Sequence, residues 1–520
     1  MLYLMVIISY FVLLVLLGIF NAKKASKSSD DYLIAGRSLG LMLATASIVG
    51  EWLGAMSTIG TSERAFSSGF SPMWYNLSTA LGMVIFSVTL ASIYRKNNVH
   101  TVGEMVEKIY SKSARIFVSL ALVIAFFVLS FIQLKGIGAM LSRLLSFDIG
   151  NFHVHVSPEL SIVIAGIIVT AYVFFGGLWS ISSTNVLHVV LMYSTLILAF
   201  IVGLVKVGGY HGLFEKIGAA LAAHPDWFRK ATVASFKSPV GIGYKLILSF
   251  LLGGTFSTFA SQAAIQPVFA TKDIKTARNA SLLSAAFIAP LGFIVATLGM
   301  IGTTGMFGYP LNEAGMPIEK EILPYLFTNS DFLPPILGSL AMAGILAAIL
   351  STIAPVMFSV STILTRDVYG LFINKNASDK DLLKFSRAAT AVIGFLIIPC
   401  AIAFHGYILD TAYLSYAIRD AASIIVLLGV FWVFRKGNEK YNFVTEAAVK
   451  TAIIVATVAA CSVVVFGIIV KSKNGLAYWN SHYGKYIFFD KVYISLITTT
   501  FFSIVISVLD KRKRPYVLEK

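Results

Sequence analysis

Only two cysteines occur in 520 residues, Cys400 and Cys461, and both stand inside apolar runs. A disulfide framework and a thiolate metal site are thereby excluded. Charge is scarce as well: Asp, Glu, Lys and Arg make up 13% of the chain, against about a quarter in a soluble domain. There is no G-x-x-x-x-G-K-[ST] string, and the doublets Gly176-Gly177 and Gly253-Gly254 fall in or beside apolar stretches. Energy from ATP is therefore not expected to enter through this chain. No cluster of His, Glu and Asp suggests catalysis, which makes a membrane enzyme the least expected class. His153 and His155 have a spacing that could bind a metal weakly, but they lack carboxylate or cysteine companions.

What fills the chain is apolar sequence. Hydrophobic residues reach 57% and mean hydropathy is +0.82. A bilayer core of roughly 30 Å calls for about 20 such residues per helix. Thirteen stretches qualify, near 2–21, 38–62, 72–94, 116–141, 158–176, 184–205, 241–270, 280–302, 333–365, 388–405, 411–434, 447–470 and 489–509. The expected fold class is all-α and integral to the membrane. The first stretch lacks a basic beginning and is followed by Lys23 and Lys24, so it reads as a span and not as a cleaved leader.

Basic residues set the orientation. With the N-terminus outside and the C-terminus inside, the inner segments hold 25 of the 41 Lys and Arg, including Arg95, Lys96, Arg366 and the tail Lys511-Arg512-Lys513-Arg514. The net charge of +16 then reflects anchoring at an inner leaflet, not nucleic acid. A multi-pass protein of the plasma membrane is expected. Trp227, Trp432 and Trp479, near span ends, read as interfacial anchors.

Four motifs in order then carry a resemblance along most of the chain. They are Asp31-Tyr32-Leu33-Ile34-Ala35-Gly36-Arg37-Ser38-Leu39-Gly40, Thr101 through Glu104, Phe175-Gly176-Gly177-Leu178 with Thr184, and Ser351-Thr352 followed by Thr365-Arg366-Asp367-Val368-Tyr369. Together they resemble the sodium/solute symporters, the family of the sodium/proline, sodium/galactose and sodium/sialic acid carriers. The resemblance implies a LeuT-like architecture. Residues 1–37 would form an extra N-terminal helix and inner loop, 38–206 and 240–434 two five-helix repeats of opposite orientation, and 435–520 two appended helices and a tail.

In such folds solute and ion meet near the midplane, where a broken helix exposes carbonyls. Gly50, Gly54 and Gly60 make the second stretch a candidate for that break. The resemblance implies a sodium site built from the carbonyls of Gly50, Leu53 and Ala348 and the side-chain oxygens of Ser351 and Thr352. Adjacent hydroxyls on a helix point about 100° apart, so both serve one ion only if it sits against the backbone between them. Many members have Thr-Asp where this chain has Thr184-Asn185, and some have further hydroxyls where it has Ala354 and Pro355. One ion per solute is the expectation.

Four ionisable residues fall deep within apolar stretches: Glu51, Lys135, Arg419 and Asp420. Unpaired charge at that depth costs at least about 2.5–3.5 kcal/mol. Glu51 can pair with Lys135, and Arg419 with Asp420 or Glu51. One reading gives Arg419 or Lys135 a carboxylate of the solute and Glu51 an amine or a proton; the other is an ion-pair network that locks helices together. Ser57, Asn76, Phe256, Phe259 and Gln262 are further candidates for the solute pocket. The expected function is sodium-coupled symport of a small polar organic solute by alternating access, an amino acid or a carboxylate in the first place. A proton-coupled carrier using Glu51 and a transporter-like membrane sensor are the alternatives.

Overall fold

The computed structural model describes residues 2–145, 147–149, 152–154, 156–228, 231–404, 408–434, 443–484 and 486–510. The tail from Lys511, His155 and the side chains of His153 and Trp432 lie outside what is described. Within it the chain is helical, apart from one short antiparallel hairpin, β1 (Phe147–Ile149) with β2 (Phe152–Val154). The long helices run as α1 (Leu2–Ala25), α2 (Leu41–Trp52), α3 (Thr61–Ser68), α4 (Trp74–Thr89), α5 (Val102–Ile109), α6 (Lys112–Leu145) and α7 (Pro158–Val207). They continue as α8 (Tyr244–Ser257), α9 (Gln262–Phe269), α10 (Ile274–Thr303), α11 (Pro335–Ile363), α12 (Asp379–Ala403), α13 (Ile408–Phe434), α14 (Glu446–His482) and α15 (Lys491–Leu509).

Among the described residues ten helices are long and apolar enough to cross a bilayer, or eleven when α2 and α3 count as one bent span. The helices differ in burial: α1 exposes Met5, Leu16 and Phe20, whereas α11 is buried along nearly its whole length. Small residues let α11 lie at the centre, against α7, α6, α2 and α1.

The stretches expected at 158–176 and 184–205 form the two arms of α7, 50 residues in all. At about 1.5 Å per residue it is more than twice a bilayer core in length. It is interrupted at Gly177, whose φ of 50° and ψ of −140° only glycine adopts readily. A Cβ there would stand 2.4 Å from the carbonyl oxygen of Tyr32. Tyr32 in turn donates its hydroxyl to Val173 O at 3.3 Å. Two of the sequence motifs thus meet in space, and the glycine pair exists to let them do so.

Span ends also differ from expectation at Trp479. α14 continues to His482, and Trp479 is buried there against Phe466, with ring centroids 6.0 Å apart. Trp227 is half-buried and stacks on His224 at 3.8 Å.

One end of the bundle is tied by charge. Thr101 caps α5, accepting from Glu104 N at 2.9 Å, while the Glu104 carboxylate accepts from His100 N at 2.7 Å, one residue before the cap. Glu104 also takes Arg366 Nε at 2.9 Å, and the His100 ring bridges Glu104 at 3.2 Å and Asp30 at 2.8 Å. Beside them the fully buried Asp367 accepts from Arg115 Nη2 at 2.6 Å, Ser119 at 2.6 Å and Thr101 at 2.8 Å. Burial disfavours the charged His100 ring, but the hydrogen bonds to Asp30 and Glu104 outweigh it and raise its pKa above 6.5. The bond to His100 in turn lowers that of Asp30.

Two outcomes follow from these contacts. Gly177→Ala is expected to cost of order 1–3 kcal/mol from the backbone alone, seen as a lower Tm and a loss of monodisperse protein in detergent. His100 contributes stability in full below its ordinary pKa of 6.5, and that contribution disappears as pH rises through the elevated folded value. A series of thermal unfolding curves across that window should slope downward for the wild type and lie flatter for His100→Gln.

Candidate functional site at the broken helix

The helix that begins at Leu41 stops at Trp52 and resumes in a π-helical turn, Met56–Gly60, leading into α3. The two arms are bent by 58°. Leu53 closes the last turn of α2 with φ −95° and ψ 17°, and Gly54 and Ala55 follow in the gap. Such a gap frees backbone groups that need new partners. Ala55 N finds Gln133 Oε1 of α6 at 3.1 Å, and Ser57 Oγ and Thr58 Oγ1 both lie on Gly54 O, at 2.9 and 3.1 Å.

Carbonyls at the end of α2 meet α11. Ser351 Oγ stands 3.0 Å from Gly50 O and 2.7 Å from Ala348 O. Thr352 Oγ1 stands 2.9 Å from Gly50 O and 3.2 Å from Glu51 O. Two hydroxyls carry one proton each, so they cannot satisfy every lone pair of three converging carbonyls at once. An all-oxygen cluster of this kind suits a hard cation such as sodium. Gly50 is needed for a second reason: a Cβ on it would stand 2.4 Å from Asn185 Nδ2 of α7. The Asn185 amide is fully buried against the break, and neither of its polar atoms has a hydrogen-bond partner among the described residues.

The side chain of Glu51 points away from that cluster, to Arg419 of α13. Arg419 Nη1 donates to Glu51 Oε1 at 2.9 Å and to Ser261 Oγ at 2.9 Å, and Ser261 Oγ donates to Glu51 Oε1 at 3.1 Å. Arg419 is fully enclosed, its guanidinium 4.3 Å from the ring centroid of Tyr416, 5.2 Å from that of Trp52 and 5.5 Å from that of Phe126. Cation–π attraction of this kind gains when water is excluded. Tyr416 is itself fixed by a hydrogen bond to the Tyr75 hydroxyl. Each ion keeps one free arm: Arg419 Nη2 and Glu51 Oε2 are buried and unpartnered among the described residues.

The geometry therefore chooses one of the pairings left open by sequence. Lys135 does not join Glu51; it is half-buried and acts electrostatically on the exposed Glu159 at the start of α7. Arg419 and Asp420 do not pair either, since consecutive helix positions face different neighbours and Asp420 turns toward α8. Ser57 and Asn76 are brought together at the break, Asn76 Nδ2 reaching Ser57 O at 3.5 Å. Gln262 is not at the pair: its amide is spent on Val102 N at 2.8 Å and His100 O at 2.9 Å, holding α9 to the start of α5. Phe259 is buried with its carbonyl bound to Tyr94 at 2.9 Å, and the half-buried Phe256 packs edge-on against it.

Sequence reasoning passed over Gln133, Ser261, Tyr416 and Trp52, and took Asn185 only as a departure from Thr-Asp. A signal for Gln133 existed, a lone amide two residues before Lys135 in an otherwise apolar stretch. Charge drew attention to the lysine, while the helix turned the amide inward.

The model of the sodium:solute symporter family matches residues 32–444. Over 432 residues, 81% of this chain and 82% of the relative, the sequence is 25% identical to the osmoregulated proline transporter OpuE of Bacillus subtilis (strain 168). It is 24% identical to a sodium/glucose cotransporter of Vibrio parahaemolyticus, over 79% of this chain and 77% of that one. A Na+-coupled sialic acid symporter, in a substrate-bound outward-open state, superposes over 99% of both chains with a TM-score of 0.76 and 18% identity. MhsT in complex with L-phenylalanine does so over 90% of this chain and 98% of its own, with a TM-score of 0.52 and 14% identity. At those identities the likeness is one of fold.

Removing one member of the buried pair leaves the other charged and alone. Arg419→Leu should cost about 3–5 kcal/mol, and adding Glu51→Gln to the same chain should recover the larger part. Unfolding of the purified single and double variants in detergent measures both.

Proposed function

Because the chain belongs to the sodium:solute symporter family, and is a multi-pass membrane protein whose coupling ion is sodium, we propose that it imports a zwitterionic or carboxylate-bearing solute, an amino acid in the first place, across the plasma membrane. The observation that carries this reading is the double engagement of Glu51. Its carbonyl lies 3.2 Å from Thr352 Oγ1 in the oxygen cluster, and its carboxylate holds Arg419 at 2.9 Å.

In this reading the carbonyls of Gly50, Leu53 and Ala348 and the hydroxyls of Ser351 and Thr352 ligate sodium. The free Arg419 Nη2 receives the solute carboxylate, the free Glu51 Oε2 receives its amine, and Ser57 and Asn76 border the pocket. A guanidinium suits the task because its planar fork matches a carboxylate. Sodium bound at the end of α2 fixes the backbone of Glu51 and with it the direction of its side chain. Ion and solute then favour the same conformation, which is what coupling requires. Thirteen crossings, with α7 counted as two and α4 as one, keep the N-terminus outside and the C-terminus inside. The repeats are 38–206 and 240–434. The OpuE relative is an osmoregulated proline transporter, which supports the amino-acid class.

Purified protein in proteoliposomes, offered a pooled labelled mixture of amino acids and short carboxylates under an inward sodium or choline gradient, tests the reading. The wild type should accumulate solute only with sodium, and Ser351→Ala/Thr352→Ala should lose that accumulation. Arg419→Lys should lower uptake at least roughly tenfold, since one charged hydrogen bond contributes about 1.5–3 kcal/mol. Uptake that ignores sodium and follows a pH gradient would instead make Glu51 the coupling group.

A further inference from the structure

Asp420 follows Arg419 on α13 but belongs to a different compartment. It is fully buried, and neither carboxylate oxygen has a hydrogen-bond partner among the described residues. A Cβ built on Gly253 of α8 would stand 3.6 Å from Asp420 Oδ2 and 3.1 Å from Val492 of α15. The carboxylate therefore lies where α8, α13 and α15 meet, outside the cluster between α2 and α11.

Hydroxyls line the same junction. On α15 they recur every fourth residue, at Ser495, Thr499, Ser503 and Ser507, all buried. Ser495 Oγ donates to Ala417 O at 2.6 Å, which sets α15 beside α13 at the level of Asp420. One turn further along, Ser423 of α13 and Thr499 of α15 are fully buried, and their hydroxyls have no partner among the described residues. A hydroxyl inside an apolar helix ordinarily donates to the carbonyl one turn back, as Ser507 does to Ser503 O. Ser423 and Thr499 do not.

The charged groups nearby are otherwise engaged. Arg419 is bound to Glu51, Lys245 donates to the carbonyls of Gly484 and Tyr486, and Lys491 lies 5.5 Å from the ring centroid of Tyr413. Asp490, at the start of α15, accepts from Ser249 at 3.2 Å, one helical turn from Gly253 along α8. A cavity of about 410 Å³, lined by Ser249, Phe250, Tyr413 and Asp490 among others, lies one helical turn from Gly253 along α8. An unpaired carboxylate in a bilayer needs a partner or a proton. Protonation would remove the charge but leave an acid O–H in need of an acceptor of its own, whereas a hard monovalent cation draws lone pairs from the carboxylate and both hydroxyls.

We propose that Asp420 is the anchor of a second sodium site, with the hydroxyl oxygens of Ser423 and Thr499 as its neutral ligands. The site is separate from the Ser351–Thr352 cluster, adds an ion to the single one expected from sequence, and involves α15, a helix outside the two repeats.

Binding of radiolabelled sodium to the purified full-length protein, with no solute present, tests this directly. The wild type should bind two sodium ions per chain. Asp420→Asn should bind one, and so should Thr499→Val, a substitution of nearly equal shape that decides the matter if the first does not fold. Ser351→Ala/Thr352→Ala should also keep one ion, the one held by Asp420. Two ions retained by Asp420→Asn, or by Thr499→Val where the former does not fold, would overturn the second site and leave the first untouched. A single wild-type ion that vanishes with Ser351→Ala/Thr352→Ala would overturn it too.

Discussion

A helix that ends inside a bilayer leaves backbone oxygens and nitrogens that lipid cannot satisfy. Most of what is distinctive at the centre of this molecule answers that constraint. Three residues separate α2 from its continuation, and each neighbouring element supplies something to close the gap. α6 provides the Gln133 amide, α11 the Ser351 and Thr352 hydroxyls, and the chain's own Ser57 and Thr58 fold back on Gly54. Gly50 permits α7 to press Asn185 against the last turn. The break is thus held by four helices, and a change in any of them is felt at the same few carbonyls.

The buried pair of Glu51 and Arg419 is arranged differently from a structural bridge. A buried ion pair often contributes little net stability, because the desolvation of both charges offsets their attraction. What keeps this pair tolerable is its surroundings: Ser261 hydrogen-bonds both partners, and three aromatic rings face the guanidinium. Yet one nitrogen and one oxygen stay uncommitted. Full satisfaction would favour rigidity; partial satisfaction favours a further polar partner.

Local signals in the sequence carried the architecture well. Apolar runs located the helices, glycines at 50 and 54 located the break, and the adjacent hydroxyls at 351 and 352 located the oxygen cluster. Each of these is a short-range pattern. Pairings were not legible, because the partners of Glu51 and Ala55 come from residues 419 and 133, and composition holds no record of which face a helix turns inward. Lys135 and Gln262 show the limit from the other side. Both are polar residues in apolar sequence, the usual mark of a site, but one is half-buried away from Glu51 and the other fastens α9 to α5. The interruption of α7 at Gly177 falls between the two apolar stretches that hydropathy separates, but its contact with Tyr32 could not be read from either.

The charged tie at one end of the bundle has a mechanical meaning. Arg115 is shared among Asp367, Glu104 and Glu107, Glu104 is shared with Arg366 and His100, and His100 is shared with Asp30. Because the partners are shared, releasing one contact throws its charge onto those that remain, and the fully buried Asp367 has Arg115 as its counter-charge. Such a latch resists small displacements and yields only as a whole. The segments around residues 30, 100, 115 and 366 should therefore separate together or remain together, so that a partly parted arrangement is the least stable of the three.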